Sequence, residues 1–217
     1  PNTGWDAAEL HLPLGKLFLS KGILFTHPVY YKFAITGGIQ TIYALFQFLN
    51  AQSAIIPFNF ICWLATLSLV YGWSCRKSGK LAGWFSVAIL ATVSLLAELA
   101  IEPRIDGFLA LFTGVAFLAI TEYVADHEKK GFLLIASVAF GAGMATKYTV
   151  AVAVLVTAVT LAWVWIRQRT LPLKVLVIGI ILICAPSLFW YARNTIKLGD
   201  PLYPYLTQRG YPDEHGN

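Results

Sequence analysis

Residues 132–166 read FLLIASVAFGAGMATKYTVAVAVLVTAVTLAWVWI and carry one charge, Lys147, near the middle. A hydrocarbon layer of about 30 Å is crossed by roughly 17–25 apolar residues, so this stretch is too long for one pass. As a single helix it would also hold an ammonium group at mid-bilayer, where a charge is expensive. Two shorter helices meeting at Lys147 and Tyr148 place that charge at an interface instead. The stretch therefore predicts a transmembrane helical hairpin with Lys147 at its turn.

Working outward, apolar stretches at about 54–75, 81–101 and 107–125 precede the hairpin, and one at 174–193 follows it. Together with 132–147 and 149–166 they predict an all-α, polytopic transmembrane bundle of about six spanning helices. The composition agrees: 58% of the 217 residues are hydrophobic and 12% charged, with mean hydropathy +0.67. A soluble domain is about 25% charged. This excludes a disordered chain, a collagen-like fibre and a typical soluble enzyme, and leaves little room for a second, soluble domain.

The net charge of +5 would raise nucleic acid as a partner in a soluble domain. Here the cations fall between apolar runs and in alternate loops. Arg76, Lys77 and Lys80 fill one loop, Lys129 and Lys130 another, and Arg167, Arg169 and Lys174 a third, while the intervening turns hold only Arg104 and Lys147. They are read as topology signals, with no nucleic-acid partner. The positive-inside rule makes the three basic loops cytoplasmic. The turn at Pro103–Asp106, the turn at Lys147–Tyr148 and the tail after Arg193 are then external. Cys62, Cys75 and Cys184 are odd in number and lack CxxC spacing, which argues for neither a disulfide nor a metal site. The chain starts at Pro1 with no signal-peptide pattern and reads as a fragment whose N-terminus lies upstream.

Leu10, Leu14, Leu17 and Phe18 recur at helical spacing and predict a short amphipathic helix at a membrane surface. Tyr31–Leu49, with Lys32, Gln40, Gln47 and two glycines, is weaker. Its pattern fits a span or a surface segment, and the choice decides on which side residues 1–30 lie.

Ionisable groups next to a bilayer are costly and are functional candidates for that reason. They gather on the external side: Asp6, Glu9 and His11 in the N-terminal segment, His27 before Pro28, Glu102, Arg104 and Asp106 in one turn, Lys147 and Tyr148 in the next, and Arg193 and Asn194 at the end of the last span. The competing reading, helix ends facing water, is adopted for the tail carboxylates Asp200 and Asp213. Asp106 and Lys147 sit hard against apolar helices and are read as functional. Glu9 and His11 do not share a helical face. A metal site there would need a third ligand such as His27, so a divalent metal stays open. His127, between Asp126 and Glu128, reads as a solvated loop. Glu122 reads as snorkelling to the cytoplasmic face. Glu98 faces a cavity or pairs with Arg104. Gly141-Ala142-Gly143 permits close helix packing or a bend. No phosphate-binding glycine loop and no HExxH occurs, so nucleotide binding and zinc protease chemistry have no support.

Four segments in order are WDAAELHLPLGKLFL (5–19), PRIDGFLALF (103–112), GMATKYT (143–149) and FWYARNTIKLGDPLYPYL (189–206). In this order and with this hydropathy the chain resembles the polytopic C-superfamily glycosyltransferases. The branch is that of the bacterial relatives of dolichyl-phosphate-mannose protein mannosyltransferases and of lipid A aminoarabinose transferase. The resemblance implies a missing first helix upstream, further spans downstream, and a first external loop with juxtamembrane helices. Residues 1–50 would then be that external loop, with Tyr31–Leu49 on or re-entering the outer face. Residues 51–194 would be the bundle and 195–217 the start of another external loop. It also implies transfer of a hexosyl or pentosyl group from a polyprenyl-phosphate donor to a lipid, glycan or protein acceptor, with inversion, at the external face of a bacterial plasma membrane.

By the same resemblance Asp6 is the catalytic base and Asp106 a second catalytic carboxylate that orients or deprotonates the acceptor. Lys147, in the TK motif, contacts the donor phosphate, with Arg104 and Lys16 as further phosphate contacts. His11, Glu9, Tyr148 and His27 are substrate contacts. Asp6 is followed by Ala7, whereas the eukaryotic mannosyltransferases carry two adjacent carboxylates. The competing class is a transporter or flippase of a lipid-linked substrate, using the same polar rim and a helix broken at Lys147. An inverted repeat would mark it, and the sequence shows none. A non-catalytic scaffold would not gather acids and bases on one side.

Overall fold

A computed structural model describes residues 10–23, 36–168 and 172–203. Two short helices come first, α1 (Leu12–Lys21) and α2 (Gly38–Phe48). A 3₁₀ turn at Gln52–Ala54 leads into α3 (Ile55–Ser78), followed by α4 (Lys80–Thr92), α5 (Ser94–Ala100), α6 (Asp106–Ala125), α7 (Gly131–Thr146), α8 (Val150–Gln168) and α9 (Leu173–Leu198). No strand occurs among the described residues. The all-α polytopic bundle expected from the hydropathy is what the chain forms.

Side-chain placement explains why this bundle suits lipid. Its interior is built from small residues, Ala116, Ala119, Ala136 and Ala139, all 5% exposed or less, while Leu81, Trp84, Ile166 and Ile196 point outward at 63–80% exposure. Small residues let helix backbones approach where lipid, as apolar as leucine, supplies no hydrophobic drive. Gly141 is the extreme case. A Cβ placed on it would lie 2.5 Å from the Leu182 carbonyl oxygen and 2.9 Å from Pro186 Cγ. Pro186 sits inside α9 and has no N–H, so the carbonyl four residues back, Leu182, loses its helical partner. The glycine nests against that carbonyl. Gly141-Ala142-Gly143 is thus a packing surface, and α7 runs unbroken through it to Thr146.

The six expected apolar stretches appear as four long helices and two shorter apolar ones, α4 and α7. Among the described residues four helices are long and apolar enough to cross a membrane: α3 with its 3₁₀ lead-in, α6, α8 and α9. The stretch at 81–101 is divided at Val93, whose extended backbone (φ −73°, ψ 99°) separates α4 from α5. α7 has 16 residues and rises about 24 Å, because Lys147 leaves the helix with φ −152° and ψ 125°. That break, at the residue where the sequence requires one, separates α7 from α8. Of Tyr31–Leu49 the described part is residues 36–49; it forms α2, 11 residues or about 16 Å long, which pairs with α1.

α1 and α2 cover one end of the bundle. Leu14 and Phe18 of α1 cluster with Ala44 of α2, Ala145 of α7 and Trp190 of α9. Ile39 and Tyr43 of α2 cluster with Ile55 of α3 and Ile105 before α6. Close approach is again permitted by glycine: a Cβ on Gly38 would lie 2.8 Å from the Ala145 carbonyl oxygen. As the leucine and phenylalanine spacing predicts, α1 is amphipathic, burying Leu14, Gly15 and Phe18. The opposite end carries the basic loops. There Lys77 and Arg76 reach Glu122 at 3.2 and 3.9 Å, so Glu122 is paired rather than simply snorkelling. His127 lies over the Tyr123 ring with centroids 5.1 Å apart. Between α6, α7, α8 and α9 lies an apolar cavity of ≈ 230 Å³ lined by Leu133, Phe140, Leu161 and Ile183. The three cysteines are free.

Candidate functional site

The covered end brings the chemistry-bearing residues together from separate elements. Asp106 is the first residue of α6 and Lys147 follows the last of α7. Lys147 Nζ lies 3.5 Å from Asp106 Oδ1, with both side chains partly exposed. In the turn before α6, Glu102 and Arg104 form an ion pair. Arg104 therefore pairs with Glu102, and Glu98, its expected alternative partner, is exposed on α5. Tyr148 is half-buried beside Lys147.

Each position follows from local chain chemistry. A carboxylate in the first turn of α6 meets the partial positive charge of that helix terminus. The lysine has left α7, so its long side chain crosses to that carboxylate without unwinding the helix. The result is a cation and an anion side by side at the rim of the bundle, flanked by a second such pair.

The α1–α2 hairpin adds a buried polar layer. Gln40 Nε2 lies 2.9 Å from His11 Nδ1, both side chains being buried. Gln47 Nε2 donates to the Leu12 carbonyl at 3.2 Å. Tyr43 has no exposed surface, and its hydroxyl lies 3.0 Å from Asn59 Oδ1 and 2.9 Å from the Arg104 carbonyl. Burial pushes the Tyr43 phenol well above the usual tyrosine range, partly offset by its bond to Asn59. Asn59 Nδ2 donates to the Glu102 carbonyl at 2.6 Å.

Of the remaining residues expected at the site, Asp6, Glu9 and His27 lie outside the described residues. Lys16 is exposed on α1 and makes no ion pair with a described residue, unlike Lys147. Among the described residues no group of three or more histidines, cysteines and acids could hold a metal. Sequence reasoning left several buried polar residues unused. Tyr43, Asn59 and Gln40 are uncharged and sit in apolar runs, so a search for ionisable groups passes over them. Asp200 was expected to face water. It is 1% exposed, and its Oδ1 accepts the Leu202 N–H at 2.8 Å. Arg193 and Asn194 are buried inside the last turns of α9, with Arg193 over the Trp190 ring at 5.0 Å and its Nη2 bonded to Asn194 Oδ1 at 2.8 Å.

The arrangement can bind an anion at a membrane rim and hold a carboxylate next to it. The sequence profile described as dolichyl-phosphate-mannose-protein mannosyltransferase matches residues 26–190. The chain belongs to this family and is an integral membrane protein of glycosyltransferase type. The matched region contains Arg104, Asp106, Lys147 and Tyr148. It begins after His11 and Lys16 and ends before Arg193. No curated protein and no solved structure matches the chain.

Proposed function

We propose that this chain transfers a sugar from a polyprenyl-phosphate donor to an acceptor hydroxyl on the non-cytoplasmic face, with inversion at the anomeric carbon. The observation that carries the reading is the 3.5 Å pair of Lys147 and Asp106, inside the region that the family profile matches and on the end of the bundle opposite the basic loops. A lipid phosphate reaches that depth from the bilayer and displaces the carboxylate as the partner of Lys147. In the transfer step the acceptor oxygen attacks the anomeric carbon and the bond to the phosphate oxygen breaks. The electron pair leaves on the phosphate, and the acceptor proton passes to a carboxylate. Lys147, with Arg104 nearby, offsets the charge that grows on the leaving phosphate. Asp106 orients the acceptor hydroxyl, and Asp6 is the assigned base. The sugar is a hexose or pentose, the acceptor a lipid, glycan or protein, and the membrane a bacterial plasma membrane.

The test uses the full-length protein in detergent with a polyprenyl-phosphate sugar, following release of polyprenyl phosphate. Asp6→Asn lowers turnover by about 10²–10⁴-fold, the usual contribution of a general base, with donor KM little changed. Lys147→Met raises donor KM and lowers turnover, because its interaction strengthens as the phosphate gains charge. Unchanged donor KM and turnover in Lys147→Met refute the phosphate role. Retained anomeric configuration in the product refutes the single displacement.

A further inference from the structure

Asp106 and Lys147 are partly exposed side chains from separate elements, and something must fix their separation. Lys147 is set by the end of α7. Asp106 is set by the turn before it, residues 101–105, which has little regular structure of its own. Two carbonyls of that turn are gripped from outside. Asn59, in the second turn of α3, donates to the Glu102 carbonyl at 2.6 Å. Tyr43, on α2, reaches the Arg104 carbonyl at 2.9 Å and Asn59 Oδ1 at 3.0 Å. Both side chains have 0% exposure. The Tyr43 ring is wedged among Ile39, Ile55 and Ile105, so the hydroxyl cannot follow the turn if the turn moves. Buried polar groups are held at this cost only where they are bonded, and these bonds converge on one short segment from two separate helices.

We infer that Tyr43 and Asn59 are positioning residues that set the place of Asp106 relative to Lys147, acting through the Glu102–Arg104 backbone. The inference rests on the sugar-transfer reading above. It assigns to α2 a working part: a short helix outside the spanning set reaches under the catalytic turn and fixes its depth.

A positioning residue and a merely structural one differ in what their loss does. Tyr43→Phe removes only the hydroxyl and leaves the ring in its cluster. Asn59→Leu keeps the approximate volume and removes both bonds. A displacement of about 1 Å at a reacting group costs on the order of 10²-fold, so each variant lowers kcat by about 10–100-fold per folded molecule. Donor KM moves less than kcat, because Lys147 stands on another element and of the two phosphate contacts only Arg104 shifts with the turn. The decisive measurement is kcat of Tyr43→Phe in an Asp106→Asn background. A residue that works through Asp106 has almost no further effect there, whereas an independent structural role multiplies. Thermal melts normalise activity to folded protein, and Tyr43→Phe carries the test if Asn59→Leu does not fold. A full effect of Asp106→Asn with an unchanged Tyr43→Phe, or a multiplicative double variant, overturns this inference alone. An Asp106→Asn protein that turns over like the parent overturns the reading of the site together with it.

Discussion

Replacing Gly141 by alanine puts one methyl group where α7 and α9 touch. The new Cβ would sit 2.5 Å from the Leu182 carbonyl oxygen and 2.9 Å from Pro186 Cγ, both fixed parts of α9. A carbon and a carbonyl oxygen in contact stand at about 3.3–3.6 Å, so the helices must separate by roughly 0.8–1 Å. A radial gap of that size forfeits about a quarter to a half of each dispersion contact along the seam, and overpacking of a fitted core costs about 1–3 kcal/mol. For a chain of this length that is a fall in melting temperature of roughly 2–12 °C. The natural controls are in the same helix set. At Gly131 nothing lies within 4 Å of an added Cβ, and at Gly179 the only atom closer than 3 Å is the tip of the Ser137 side chain. Gly131→Ala is expected to be neutral or stabilising by up to about 1 kcal/mol, and Gly179→Ala to cost less than Gly141→Ala. Thermal unfolding in one detergent, followed by tryptophan fluorescence or by size-exclusion survival, orders the three. A Gly141→Ala protein that melts with Gly131→Ala would show that the α7–α9 contact is not as close as described. Lys147 lies about 9 Å further along α7, so the same variant also lowers transfer activity by moving that cation.

The Lys147–Asp106 pair behaves oppositely. Both side chains are partly exposed, so Lys147→Met costs only about 0–1 kcal/mol and melts well above Gly141→Ala while losing donor binding. Burial holds the Tyr43 phenol neutral above the tyrosine reference of 10.0. The folded chain therefore keeps a proton that the unfolded chain loses. The stability this brings is complete below pH 10 and declines as pH rises beyond it, by at most about 1.4 kcal/mol per pH unit. Tyr43→Phe removes that part of the slope, and identical alkaline slopes for parent and variant would contradict it. For topology, cysteines at Ser53 and Lys197, both exposed at the Asp106 end, react with an impermeant thiol reagent in intact cells, and cysteines at Ser78 and Gly131 are protected. The reverse pattern would put the Asp106–Lys147 pair in the cytoplasm.

Some of this was written in the residues taken one at a time. Long apolar runs can satisfy their backbone in lipid only as helices, so 132–166 and its neighbours determined an all-α membrane bundle. The cost of a lysine in hydrocarbon determined the break at Lys147. The order of four short segments, with that hydropathy, determined the family. All of these are local: they depend on what a segment of about twenty residues does to its solvent.

What the tertiary structure decided is what distant segments do to one another. Asp106 and Lys147 stand in separate turns of the sequence, and only the packing of α6 on α7 brings them to 3.5 Å. Glycine 141 reads equally as a bend or a contact until α9 supplies Pro186 and an unbonded carbonyl against it. Tyr43, Asn59 and Gln40 look like ordinary members of apolar helices, because neutral polar side chains leave no mark on charge or periodicity. Asp200 looked solvated for the converse reason, since a carboxylate in a polar tail is buried only by a fold that closes over it. Hydropathy fixes where each helix lies with respect to lipid. Which polar atom meets which depends on rotation and register between helices, and those are set by side-chain fit across the whole bundle.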